Sequence, residues 1–266
     1  MTYVRPPIRD ETSGLHYFRG EPEGQARRLV VLLHGAGANA ADLAGMEERY
    51  AARVHDAVWI RPDAPHGIAD GRSALEVAAL RQARPDADLE ARRSWVDFSP
   101  GRNPGPPPGA DPGTFDLETV IAASAQSVEE ALEPAVEALN GLIEAELERL
   151  ALDDAALALY GFSQGGMAAL HTGLARPRSC AALVSHSGQF LGRSAITSTP
   201  PVLLLVGEKE MVEGHPGKVI FPFAARTLRE AEVEEYVARG LGHGSSRRSD
   251  IVISRFIERA FQERGR

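Results

Sequence analysis

The sequence predicts an α/β fold, a mostly parallel central sheet with helices on both faces. Three observations predict it. Short runs rich in Leu, Val and Ala recur without polar alternation, the pattern of strands buried on both faces. Segments with helical spacing separate them, and strand–helix alternation builds parallel sheets. A glycine-rich hexapeptide, Gly161-Phe162-Ser163-Gln164-Gly165-Gly166, joins one apolar run to one helix-like run.

The elements follow in chain order. Residues 16–18 are expected to add an early antiparallel strand. Residues 29–33 form a buried strand ending at His34-Gly35, and 42–53 have helical spacing. Residues 57–60 are a second short strand, stopped by Arg61-Pro62-Asp63-Ala64-Pro65. Residues 136–150 read as a helix with Pro134 near its start. Residues 155–160 are the strand feeding the glycine-rich turn, and 167–175 the helix leaving it. Residues 181–184, 202–206 and 233–237 are further strands, and 222–230 and 249–263 further helices. One region breaks the rhythm. From 68 to 113 the chain is charged and Ala/Arg-rich, then Pro/Gly-rich, and reads as a connection without regular structure. Within it, Ser94-Trp95-Val96-Asp97-Phe98 is strand-like and expected to pack. The region is read as a lid-like insertion or a solvated flap beside the sheet, inside a single domain covering 1–266. No internal repeat is visible.

Composition narrows the function classes. A length of 266 residues suits one large α/β domain that buries a core without staples. A formal charge of −8 argues against nucleic acid and against rest on an anionic membrane, both of which want basic surface. No apolar stretch approaches the roughly 20 residues of a membrane helix, so no stable membrane insertion is expected. The start of the chain has no apolar core of a signal peptide. Cys180 stands alone, which forbids an internal disulfide and suits a reducing, cytoplasmic setting. No H-E-x-x-H and no paired cysteines offer a metal site, and no cofactor is expected.

The hexapeptide carries the chemistry. Between a strand and a helix, G-x-S-x-G reads as a nucleophile elbow, so tight that the serine is strained and its hydroxyl exposed. Small residues two before and two after the serine, Gly161 and Gly165, keep the crossing backbones apart. Ser163 is therefore an expected acyl-transfer nucleophile. It needs a base, and the base needs an orienting acid, in the chain order Ser, Asp/Glu, His. His243, in Gly240-Leu241-Gly242-His243-Gly244 beyond the last strand, is the expected base; His171, His186 and His215 are weaker rivals. The acid belongs after the 202–206 strand. Glu210, third after Gly207, is favoured, with Glu208 and Glu213 as alternatives. Two backbone N–H groups must bind the oxyanion: Gln164, after the nucleophile, and Ala36, in the turn His34-Gly35-Ala36-Gly37. His34 is read as bracing that turn. Gly35, Trp95 and Met211 are candidates to contact the substrate, with plain packing an equal reading of Trp95 and Met211. Activity is then expected to fall below about pH 6–7, where a histidine base protonates; a flat rate between pH 5 and 8 counts against His243.

Taken together, Leu33-His34-Gly35-Ala36-Gly37, Ser94-Trp95-Val96-Asp97, the GFSQGG hexapeptide, Gly207 to Glu210 and Gly242-His243-Gly244 resemble the carboxylesterase/phospholipase family of α/β-hydrolases, the group that includes acyl-protein thioesterases. The likeness spans about residues 28–262. It implies an α/β-hydrolase fold and cofactor-free hydrolysis of carboxylic esters or thioesters of short to medium acyl chains, with a small-molecule acyl substrate. Two features depart from the family pattern: glutamate at 210 where aspartate is usual, and a longer segment before Ser94. Oligomeric state is not set by the sequence, and a homodimer is compatible with it. Two other classes stay in view. Gly35-Ala36-Gly37-Ala38-Asn39-Ala40 matches G-x-G-x-x-A, a dinucleotide fingerprint, which would make an NAD(P)-dependent oxidoreductase. However, Asp56 precedes the next strand and Asp63 comes late for its acid. A non-catalytic binding protein of the same fold would typically have lost one member of the catalytic set.

Overall fold

The buried runs become strands. A computed structural model describes residues 2–3, 6–83, 85–98, 117–190, 196–212, 215–216, 228 and 232–264. Its strands are β1 (Thr2–Tyr3), β2 (Ile8–Arg9), β3 (His16–Glu21), β4 (Arg28–Leu33), β5 (Ala57–Pro62), β6 (His66–Gly67), β7 (Arg93–Ser94), β8 (Leu157–Phe162), β9 (Ala182–His186), β10 (Val202–Gly207), β11 (Met211–Val212), β12 (His215–Pro216) and β13 (Val233–Ala238). Among the described residues a nine-stranded sheet runs β1-β3-β5-β4-β8-β9-β10-β13, with β2 also on β3. From β5 to β13 the pairings are parallel. The early strand β3 runs antiparallel to β5, as expected for residues 16–18.

Strand residues divide by parity, because successive side chains point to opposite faces. Leu29, Val31 and Leu33 of β4 and Leu157 and Leu159 of β8 enter one core. Val30 and Leu32, with Ala158 and Tyr160, enter the other. Both faces are apolar, which is why these strands read as unbroken hydrophobic runs. The helices are α1 (Ala44–Ala51), α2 (Ala74–Ala83), α3 (Leu117–Leu150), α4 (Gln164–Leu174) and α5 (Arg247–Arg264), and all but α2 cover the sheet faces. Leu139, Leu142 and Ile143 of α3 and Leu170 and Leu174 of α4 close the first core. Met46 and Tyr50 of α1 and Ile253, Phe256 and Ile257 of α5 close the second.

Several expected boundaries move. The helix expected over 136–150 begins at Leu117, and Pro134 lies inside it. A proline inside a helix lacks one N–H and disturbs the preceding turn. In that turn the Ala131 carbonyl accepts the Asp97 N–H at 3.0 Å, which pins the segment after β7 to α3. The strand expected over 155–160 is shifted to β8, because residues Asp154–Ala156 form a 3₁₀ turn capped by the Asp153 carboxylate. The helix expected from 167 starts at Gln164, directly after the serine. Of the helix expected over 42–53, residues 42–43 fall in a 3₁₀ turn (Ala40–Leu43), α1 supplies 44–51, and 52–53 lie beyond its end. Of the strand-like segment at 94–98 only Ser94, in β7, pairs as strand, although Trp95 and Val96 are buried as expected. Nor is the region from 68 without regular structure. It contains α2, which buries no residue and so shows no apolar stripe, and a 3₁₀ turn at Leu89–Ala91. Residues 99–113 of that region, and nearly all of the helix expected at 222–230, lie outside the described residues.

The carboxyl ends of β4, β8, β9, β10 and β13 lie side by side in the register Leu33↔Gly161, Phe162↔His186, Leu205↔His186 and Gly207↔Ala238. In open parallel sheets that edge is where sites form, and the loops leaving it here begin at His34, Ser163, Ser187, Glu208 and Arg239.

Candidate active site

Ser163 sits at the bend between β8 and α4 with φ 55° and ψ −119°. A non-glycine residue there is strained by about 1–3 kcal/mol. The surroundings enforce the strain. A Cβ on Gly161 would overlap the carbonyl of Gly165, and one on Gly165 would lie 2.5 Å from the backbone oxygens of both Leu33 and His34. The Ser163 N–H donates to the His186 carbonyl at 2.8 Å, and its own carbonyl accepts the Met167 N–H at 3.1 Å. Its side chain caps nothing and stays partly exposed. Gly165→Ala is expected to destabilise the fold by about 3 kcal/mol through this overlap, read as a fall in the urea midpoint. An unchanged midpoint would mean the crossing has slack.

His243 comes to the same end of the sheet. Its ring packs 4.9 Å from that of Phe162, the residue before the serine. Its Nδ1 lies 2.6 Å from Glu210 Oε1. The carboxylate is buried, and its second oxygen accepts the Ser187 hydroxyl at 2.6 Å and the Gly207 N–H at 3.2 Å. Burial alone would raise the Glu210 pKa, but the hydrogen bonds from His243, Ser187 and Gly207 outweigh it and hold the carboxyl below its ordinary range. The two loops are locked together. Lys209 N–H donates to the Leu241 carbonyl at 2.8 Å, and Gly240 N–H donates to Glu208 Oε2 at 2.8 Å. A Cβ on Gly207 would strike the carbonyls of Leu241 and Gly242, so the glycine lets the histidine loop lie directly on the strand end.

The turn after β4 is braced as expected of His34. That buried imidazole accepts the Ala64 N–H at Nε2 (3.1 Å), which leaves Nδ1–H to donate to the Gly35 carbonyl (2.8 Å). Burial lowers its pKa, consistent with this neutral tautomer. Gly37 takes φ 72°, and its N–H donates to the Arg93 carbonyl at 2.8 Å. Neither the Ala36 nor the Gln164 N–H makes a hydrogen bond to a described residue.

The other candidates fall elsewhere. Glu208 holds Gly240 and not the imidazole, and Glu213 lies outside the described residues. His186 is buried against Tyr160, and burial lowers it to about 4. His171 is buried beside Phe190, also lowered to about 4. His215 lies in β12, which pairs with β11 in a separate two-stranded sheet. Trp95 has no exposed surface; its indole N–H donates to the His34 carbonyl at 2.7 Å, so the packing reading describes it here. Met211 is 59% exposed at the start of β11. Gly35 is buried against the Phe162 ring, which a Cβ there would strike. The glycines of the dinucleotide fingerprint lead into the short 3₁₀ turn capped by Asn39. Asp63 is taken up by the Ala40 N–H at 2.7 Å, and Asp56 pairs with Arg28. Sequence reasoning missed Ser187 and the side chain of Gln164. The only local signal for Ser187 was a Ser-Gly pair closing β9; its φ is 60°.

The family model for phospholipases and carboxylesterases matches residues 102–260. The chain belongs to the phospholipase/carboxylesterase family. As a member it is an α/β-hydrolase and a carboxylic ester hydrolase. Solved structures agree on the fold. Esterase PE8 is 23% identical, with 91% of this chain and 97% of that chain covered and a TM-score of 0.65. SOBER1 of Arabidopsis thaliana is 21% identical, with 88% and 99% covered and a TM-score of 0.60. A phospholipase/carboxylesterase from Dyadobacter fermentans DSM 18053 is 19% identical, with 94% and 99% covered and a TM-score of 0.61. No curated protein matches the sequence. Among the described residues of this phospholipase/carboxylesterase, no helix is long and apolar enough to cross a membrane.

Proposed function

We propose that this ester hydrolase works through a Ser163–His243–Glu210 triad and a covalent acyl-enzyme, on a small-molecule carboxylic ester or thioester of short to medium acyl chain. The observation that carries the reading is the strained Ser163, at φ 55°, on the same sheet edge as an imidazole hydrogen-bonded to a buried carboxylate. With Nδ1–H donated to Glu210, the neutral imidazole has its Nε2 lone pair free to accept a proton. The Ser163 oxygen attacks the acyl carbonyl carbon as its proton passes to His243. The carbonyl π electrons move onto oxygen, which takes hydrogen bonds from the Ala36 and Gln164 N–H groups. The tetrahedral adduct collapses, the bond to the leaving oxygen or sulfur breaks, and His243 returns the proton to that leaving group. Water repeats the sequence on the acyl-enzyme with His243 as base, releasing the acid and restoring the serine. No step needs a metal or cofactor.

A binding protein of this fold would be expected to lack one of these groups, whereas Ser163, Glu210 and His243 are all retained. We read the chain as one domain, since the sheet draws strands from Thr2 to Ala238. A cytoplasmic setting fits the lone Cys180, buried, with its thiol pushed up to about 12 by burial and so kept inert. The test is covalent. A fluorophosphonate should label the protein once, at the peptide containing Ser163, and abolish ester hydrolysis in step with labelling. Label on another residue, or full activity in labelled protein, would overturn the assignment.

A further inference from the structure

The side chain of Gln164, unlike its N–H, is bound. Its side-chain Oε1 accepts the Trp95 N–H at 3.1 Å and faces the Ser94 hydroxyl at 3.0 Å. Ser94 and Trp95 are fully buried, so these contacts lie where an unmet acceptor or donor is expensive. The same short segment holds the other side of the site. Arg93 N–H donates to the Ala38 carbonyl at 3.0 Å, and Gly37 N–H donates to the Arg93 carbonyl at 2.8 Å. The Trp95 indole N–H donates to the His34 carbonyl at 2.7 Å. The turn between His34 and Ala38 is therefore fastened at both ends to residues 93–95. Those residues are fastened in turn to the side chain of Gln164.

We propose that the Gln164 side chain is a positioning residue. Through the splint Arg93-Ser94-Trp95 it fixes the spacing between its own N–H and the N–H of Ala36, and so preorganises both oxyanion donors. This inference rests on the serine-hydrolase reading above. The physical reason is that the two donors belong to different strand ends, β4 and β8. Backbone pairing between those strands, Leu33↔Gly161, stops before either donor. Beyond that register the Ala36 turn is held by hydrogen bonds to β7 and, through His34, to Ala64. Of these supports, the splint is the one that connects it to Gln164. Donors aimed at developing charge accelerate reaction only when they are already in place.

The experiment compares wild type with Gln164→Met, which keeps the backbone N–H and the side-chain length but removes the acceptor, and with Trp95→Phe, which removes the indole bond to the His34 carbonyl at the splint's far end. Rates on p-nitrophenyl butyrate are expressed per active site, titrated with a fluorophosphonate, so that misfolded protein does not count. The expected result is a fall in kcat of about 10- to 100-fold for Gln164→Met with KM within about twofold. Inhibition by a trifluoromethyl ketone, which forms the tetrahedral adduct, should weaken by a similar factor. The double variant should lose less than the product of the two single losses, because both cut one connection. A per-site kcat within about twofold of wild type in Gln164→Met, whatever its stability, overturns the inference, as does a loss confined to KM. Should Gln164→Met yield no titratable protein, the Trp95→Phe rate and inhibition decide by the same criteria. Failure of the hydrolase reading looks different: wild type itself would not take the label at Ser163.

Discussion

Ser163→Ala is expected to slow p-nitrophenyl ester hydrolysis on the order of 10⁴- to 10⁶-fold while leaving the urea midpoint where it was. The rate loss follows from removing the nucleophile itself, and what survives is binding and any oxyanion stabilisation. The unchanged stability follows from the local structure. The Ser163 hydroxyl makes no capping bond to the helix it precedes. Alanine has the same Cβ, so the cost of φ 55° is the same for both residues. A steady-state assay beside a denaturation curve checks both halves. Equal rates in variant and wild type would take Ser163 out of the mechanism, and a large fall in midpoint would make the rate loss uninformative about chemistry.

Glu210→Gln should be the next most damaging change, at about 10³- to 10⁴-fold in kcat. The carboxylate serves three donors: His243 Nδ1–H on one oxygen, the Ser187 hydroxyl and the Gly207 N–H on the other. An amide offers one acceptor oxygen and a nitrogen that donates, so the glutamine must abandon either the imidazole or the Ser187–Gly207 pair. If it turns its NH₂ toward His243, it favours the tautomer with Nε2 protonated, which cannot accept the serine proton. The comparison variants are Glu208→Gln and Glu213→Gln, each expected within about twofold of wild type. Collapse of either, with Glu210→Gln nearly fully active, would move the acid. The carboxyl of Glu210 is held below its ordinary 4.5 in the fold. Its ionisation therefore contributes stability above that value, lost as the pH falls through the lower folded value. The variant should accordingly be less stable than wild type at neutral pH, with the gap closing in acid.

What the sequence made readable was whatever local sterics fix. Gly161 and Gly165 announce the bend around Ser163 because two backbones cross within a few residues of each other. The order of serine, carboxylate and histidine follows from strand ends that lie side by side. The unbroken apolar runs report strands covered on both faces. What stayed hidden was tertiary. Ser94 and Gln164 are 70 positions apart, and Ser187 and Glu210 are 23 apart; no spacing rule joins them. Pro134 looked like a helix start because proline is most at home there. The extra turns before it belong to α3 all the same, with Ala131 and Leu132 buried in the core just ahead of it. Helix α2 was invisible for the opposite reason: with no buried residue it has no stripe to read.

The proposed nucleophile and its proposed base are anchored very unequally. Ser163 follows β8, which has a paired neighbour on each side, whereas His243 hangs from β13, the outermost strand, joined only to β10 among the described residues and bearing exposed Glu234, Glu235 and Val237. Such a margin frays more readily than an interior strand. On the mechanism proposed above, a molecule whose margin has loosened would keep Ser163 in place yet lose its proton acceptor. Loss of activity on heating or in denaturant is then expected to precede loss of the cores, so dead protein need not be unfolded protein.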